Sequence, residues 1–113
     1  MKKFMVLGYA TPEAYEYMKT VTDEQRKKMM DDWFQWKKTV GDQLLDMGSP
    51  LMQGTVISPK GNRVPVSGNL AGYMMIQADD MDTAITLLES SPLYDSGPGN
   101  TYEIYECLDM KKQ

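Results

Sequence analysis

The sequence predicts an α+β domain of ferredoxin-like type, with β-α-β-β-α-β order and two helices on one face of an antiparallel sheet. Three observations carry that expectation. Two dense apolar runs, Phe4-Met5-Val6-Leu7 and Tyr73-Met74-Met75-Ile76, have the length and flanks of buried strands. A long stripe of apolar residues at helical spacing follows a capping box at Thr22. A second, shorter amphipathic segment ends before Pro92 and leads to an alternating aromatic and β-branched run. With 113 residues and no repeat, low-complexity tract or interdomain linker, the whole of 1–113 reads as one domain.

The first strand covers Phe4 to Tyr9 and is ended by Gly8, Thr11 and Pro12. Met1-Lys2-Lys3 has the charge of a signal peptide, but the apolar run breaks at Gly8, short of the roughly 7 to 15 residues of a secretory core. Thr11 then caps a short helix with Pro12 at its first position and Glu13 near its positive end, running through Ala14, Tyr15 and Met18.

The main helix starts at Thr22-Asp23-Glu24-Gln25, where hydroxyl and amide satisfy each other's backbone donors. Met29, Trp33, Trp36, Val40, Leu44 and Met47 form one stripe on a 3.6-residue period, so the helix is expected to continue to the stop signal of Gly48 and Pro50. Its solvated face offers Asp23 with Lys27, Glu24 with Lys28, and Lys38 with Asp42 at i,i+4 spacing.

Leu51 to Ile57 and Arg63 to Val66, joined by Ser58-Pro59-Lys60-Gly61-Asn62, read as a hairpin. Pro65 has no amide to donate, which confines the second arm to an edge. Ala71 to Ala78 reads as a central strand. Asp79, Asp80 and Asp82 head a second helix through Met81, Ala84, Ile85, Leu87 and Leu88. A loop, Asp95 to Asn100, leads to the last strand, Thr101 to Cys107.

Two helices on one face leave the other face of the sheet bare. A solvated face would show alternating polar residues, yet both central runs carry large apolar side chains toward both faces. A second copy packing sheet to sheet covers them and makes a shared, barrel-like core, so the sequence predicts a homodimer through the sheet face, a dimeric α+β barrel, with a different protein on that face as the competing explanation.

Composition narrows function by exclusion. The 42% hydrophobic and 25% charged fractions are those of a folded domain. A net charge of -4 and a pI near 4.7 give nucleic acid no general attraction. No run approaches the roughly 18 apolar residues of a membrane span, and a single cysteine, Cys107, favours a reducing cytoplasm. The absence of histidine removes zinc, axial-histidine haem and nucleophile-histidine pairs, so neither metal nor cofactor is expected.

Asp79, Asp80 and Asp82 lack the glycine and later glutamate of a calcium loop, and they stand where a helix needs a cap. The glycine-rich segment Asp95 to Asn100 precedes no helix and reads as a plain loop.

The aromatic set carries the functional expectation. Tyr9, Trp33, Trp36, Tyr73 and Tyr102 fall on elements that face each other across the seam between helix and sheet, where an apolar pocket with a few polar tips is a common ligand site. Ser67 and Asn69 precede a central strand and are candidates for hydrogen bonds at the pocket mouth. Core packing and turn formation account for the same residues. The 11 methionines would make such an interior adaptable.

Lys3-Phe4-Met5-Val6-Leu7, the turn Ser67-Gly68-Asn69-Leu70 before Gly72-Tyr73, the helix containing Ala84 that ends at Pro92, and the last strand with Glu103 together resemble the YCII-related, DGPF-type domains of the dimeric α+β barrel superfamily. The resemblance spans nearly the whole chain and implies a homodimer with a small pocket between helix and sheet. The Asp-Gly-Pro-Phe turn of that family appears as Ser67-Gly68-Asn69-Leu70, which keeps only Gly68, and the acidic residue expected before Gly72 is missing. Some relatives are thought to use a histidine-aspartate pair, which a chain without histidine lacks.

The leading expectation is therefore a dimeric module that binds a small apolar or aromatic molecule. The runner-up is a cofactor-independent isomerase, lyase or monooxygenase in which a tyrosine or carboxylate moves a proton. The third is an interaction or regulatory domain without a pocket.

Overall fold

The computed structural model describes residues 1–92 and 99–110. In chain order these form β1 (Lys2–Ala10), α1 (Pro12–Lys19), α2 (Asp23–Val40), a 3-10 turn (Gly41–Gln43), β2 (Leu44–Asp46), β3 (Thr55–Val56), β4 (Val64–Pro65), β5 (Leu70–Ala78), α3 (Met81–Glu89) and β6 (Asn100–Glu106). The main sheet has the order β2-β5-β1-β6 with every neighbouring pair antiparallel, while β3 and β4 pair only with each other. With β1, α2, β2, β5, α3 and β6 this is the ferredoxin-like order; α1 and the β3–β4 ribbon are additions to it.

The helix starts are those their caps dictate. Thr11 accepts from the Ala14 amide, with Pro12 opening α1. At α2 the Thr22 amide donates to Gln25 Oε1 at 2.8 Å and the Gln25 amide to Thr22 Oγ1 at 3.1 Å, the complete capping box. Asp80 Oδ1 accepts from the Thr83 amide at 2.8 Å and caps α3, and this hydrogen bond holds its carboxyl below the usual value.

The main helix is shorter than its stripe. It ends at Val40 because Gly41 takes φ 54 and ψ -122, a conformation closed to residues with a side chain. The second strand of the ferredoxin order is thus Leu44–Asp46, a segment the periodicity assigns to helix. The ribbon predicted from Leu51 to Val66 does form, but outside the main sheet. Leu44 opposes Ile76 and still packs against the core, so the apolar stripe stays on one side although its backbone changes from helix to strand. On the solvated face Lys28 bridges forward to Asp32 at 3.0 Å, in place of the expected pairing with Glu24.

The core lies between the sheet and two helices. Phe4, Val6, Met74 and Ile76 come from the sheet, Trp36 from α2, and Ala84, Leu87 and Leu88 from α3. The pleat sends Met5 and Leu7 of β1 and Met75 of β5 to the opposite face, where they are half-buried, with Tyr105 of β6 exposed beside them. No helix among the described residues is long and apolar enough to cross a membrane. The predicted loop from Asp95 falls outside the described residues over 93–98; its last residue, Asn100, begins β6.

Candidate functional site

A cavity of about 420 Å³ lies between α2 and the sheet. On the helix side Met29, Met30, Trp33 and Phe34 line it, and Met18 of α1 closes one end. The positions i, i+1, i+4 and i+5 make a broad apolar face, wider than the core stripe. From the sheet come Val6, Gly8, Met74 and Tyr102. The Tyr102 ring lies over Gly8, where an added Cβ would stand 3.2 Å from the ring, so the glycine leaves room for both ring and cavity.

The remaining wall is the segment Met47 to Pro50, which follows β2. Gly48 has φ 69, and a Cβ there would collide with the Tyr73 carbonyl. The Gly48 amide donates to Asp46 Oδ1 at 2.7 Å. Beyond it, the Tyr73 amide donates to the Ser49 carbonyl at 3.4 Å, and the Leu51 amide to the Ala71 carbonyl at 2.8 Å. Backbone pairing thus ties the wall to the edge of β5.

Of the seven candidate residues, Trp33 and Tyr102 line the cavity from the helix-facing side. Tyr9 and Tyr73 also border it, but their places along β1 and β5 belong to the opposite face of the pleat, with Tyr73 opposite Leu7. Trp36 sits one helical turn past Trp33, its ring edge-on at 5.6 Å, and is spent on the core. Its indole N–H donates to Ser90 Oγ at 3.0 Å. Ser67 lies on the exposed return from the ribbon, away from the cavity. Asn69 borders a second, open cleft with Tyr9, Thr11, Thr101, Tyr102 and Glu103.

Met30, Phe34 and the 47–50 wall were not among the sequence candidates. Met30 and Phe34 are i,i+4 neighbours flanking Met29 and Trp33, and the width of that apolar face is the signal that could have found them. No local signal reveals the wall.

The lining is chemically plain. Five methionines and five aromatic rings dominate it, and its polar side chains among the described residues are Ser49, Asn100 and the tyrosines. No carboxylate, amine, guanidinium or thiol of the described residues lines it, and these residues contain no group of three acidic or cysteine side chains able to hold a metal.

The titratable cluster of the sheet touches the cavity only through Tyr9. Glu103 Oε1 accepts from Tyr9 Oη at 2.8 Å and from Tyr105 Oη at 2.9 Å. The carboxylate holds on to both phenolic protons, chiefly through these hydrogen bonds, and raises both tyrosine pKa values above 10.0.

Fold and cavity define a ferredoxin-like α+β domain, with the fold of the dimeric α+β barrels. The chain belongs to the YCII-related domain family, whose sequence model matches residues 2–111. In structure it is similar to 5-chloro-2-hydroxyhydroquinone dehydrochlorinase from Burkholderia phenoliruptrix, solved in complex with 2,5-dihydroxybenzoquinone. The TM-score is 0.50 and the identity 11%, over 89% of this chain and 90% of that one. Among curated proteins the sequence has no match.

Proposed function

We propose that this chain is a dimeric small-molecule-binding protein whose ligand, small and largely apolar or aromatic, sits between α2 and the sheet. The observation that carries this reading is the cavity of about 420 Å³ with its methionine and aromatic lining. That volume lies within the range of small-molecule sites, and a few polar tips in an apolar wall are what such sites use to orient a ligand. Thioether side chains adapt to varied shapes, which suits a planar ring compound. The dehydrochlorinase that shares the fold was solved with a quinone, so quinones and hydroxylated rings are the natural first probes.

Binding is the reading the apolar lining supports first. The groups of the described lining able to move a proton are the phenols of Tyr9, Tyr73 and Tyr102, and they carry the second reading, a cofactor-independent enzyme. The homodimer is supported by the open sheet face, where Met5, Leu7 and Met75 remain half-buried in one chain and Tyr105 is exposed. The lone Cys107, free of any disulfide, supports a cytoplasmic setting.

A thermal-shift screen of quinones, aromatic acids and small ketones tests the ligand reading, with tryptophan emission as second readout. Trp33 lines the cavity and Trp36 does not, so a saturable ligand must change the emission of a Trp36→Phe protein. A library that leaves both melting temperature and Trp33 emission unchanged defeats this reading. Sedimentation equilibrium tests the dimer, which Met75→Asp should dissociate.

A further inference from the structure

We infer that the β3–β4 ribbon is an arm that seats on the body of a second copy of this chain. Every residue from 51 to 70 is exposed. The ribbon consists of two-residue strands with Thr55 opposite Pro65 and Val56 opposite Val64, closed by a 2.9 Å hydrogen bond from the Val66 amide to the Gly54 carbonyl. Strand alternation places Val56, Val64 and Val66 on one face, and they are 46%, 47% and 43% exposed. Ile57 and Met52 are 73% and 84% exposed. A lone two-stranded hairpin is marginal in water, and a row of valines left in solvent marks a contact surface.

Charge identifies what covers it. The only charged residues of the arm are Lys60 and Arg63, and no acidic residue occurs between Asp46 and Asp79. Of the 12 basic residues two lie on the arm, and of the 16 acidic residues none does. The rest of the chain therefore carries ten basic against sixteen acidic residues, a net charge of -6. A cationic arm fits the acidic part of its own kind: the stretch 64–110 has no basic residue, and its Asp79, Asp80, Asp82 and Glu89 around α3 and Glu103 and Glu106 on β6 are all exposed. Twofold symmetry then makes each arm contact twice.

The reach is sufficient. About nine residues in each direction, at roughly 3.3 Å per residue, span on the order of 30 Å. A four-stranded sheet with about 4.8 Å between strands is only about 15 Å across. The arm also springs from the 47–50 wall of the cavity, so seating it on a partner holds that wall in place.

This inference rests on the dimer reading, and the experiment separates the two. Sedimentation of the full chain is compared with Val56→Asp/Val64→Asp, Lys60→Glu/Arg63→Glu and, as a control on the sheet face, Met75→Asp. Amide exchange is followed over 54–57 and 63–66. The arm variants are expected to raise the dimer dissociation constant by about tenfold or more, and the arm amides to be protected in the native dimer and freed in Met75→Asp. The charge-reversed arm is also expected to lose salt sensitivity of the dimer. A native chain that is monomeric at every concentration overturns the dimer reading and the arm with it. A dimer that Met75→Asp dissociates but neither arm variant weakens overturns the arm alone, as do arm amides that exchange freely in the dimer or stay protected in the monomer.

Discussion

The Trp36 indole N–H donates to Ser90 Oγ at 3.0 Å across 54 residues of sequence, fastening the C-terminal part of α2 to the end of α3. Ser90 Oγ in turn donates to the Leu87 carbonyl at 2.6 Å. The two helices cover the sheet as one layer because this polar contact stands at the edge of an apolar core.

Trp36 is only 6% exposed, so its loss is a core deletion. Trp36→Ala is expected to cost about 3–5 kcal/mol, and Trp36→Phe, which keeps most of the ring but not the N–H, about 2 kcal/mol. Urea unfolding measures both. A cost for Trp36→Phe as large as that for Trp36→Ala would show that the hydrogen bond, and not the ring, carries the site.

Gly48 is held at positive φ with its Cα against the Tyr73 carbonyl. Gly48→Ala must move the wall of the cavity or strain the backbone, and about 2 kcal/mol or more of stability is expected to go. Gly41→Ala is a useful comparison, since nothing lies within 4 Å of its added Cβ and only the φ of 54 opposes it. Equal costs for the two variants would mean that contact with Tyr73 plays no part.

Gly8→Val tests the cavity from its sheet side. Its side chain would displace the Tyr102 ring, 3.2 Å from the first added carbon, toward the ligand space. Affinity for an aromatic ligand found by the screen is expected to fall about tenfold or more while the chain still folds, as valine suits a strand. Titration calorimetry measures the change, and unaltered affinity would place that ligand elsewhere.

The Tyr9–Glu103–Tyr105 cluster predicts alkaline sensitivity. Both tyrosine pKa values are raised in the folded chain above 10.0, so the folded state binds these protons more tightly than the unfolded state. The stability this provides is complete below about pH 10 and is lost as pH rises through the raised values. Urea midpoints between about pH 8 and 11 should fall less steeply in Tyr9→Phe/Tyr105→Phe than in the native chain. Parallel slopes would mean that Glu103 does not hold the phenolic protons in solution.

Local chemistry explains which parts of this architecture were legible. Thr11 with Pro12, Thr22 with Gln25, and Asp80 ahead of Met81 each fix a helix start through atoms within four residues of one another, and the apolar runs of β1 and β5 announce central strands. The end of α2 was not legible, because Leu44 and Met47 continue the helical period after the backbone has left the helix. Only the sheet, by pairing Leu44 with Ile76, turns that segment into a strand.

The site divides in the same way. Side-chain period is a property of each element alone, so the residue pattern already implies that an apolar, aromatic and methionine-rich layer meets the sheet. Which members of that layer pack solidly and which enclose space depends on the assembled fold. Trp33 and Trp36 lie three residues apart on one helix face, yet Trp36 meets Ser90 and the core while Trp33 meets the gap left by Gly8 and the 47–50 wall. That difference depends on which distant segments arrive opposite each ring, and spacing along one helix carries no information about them.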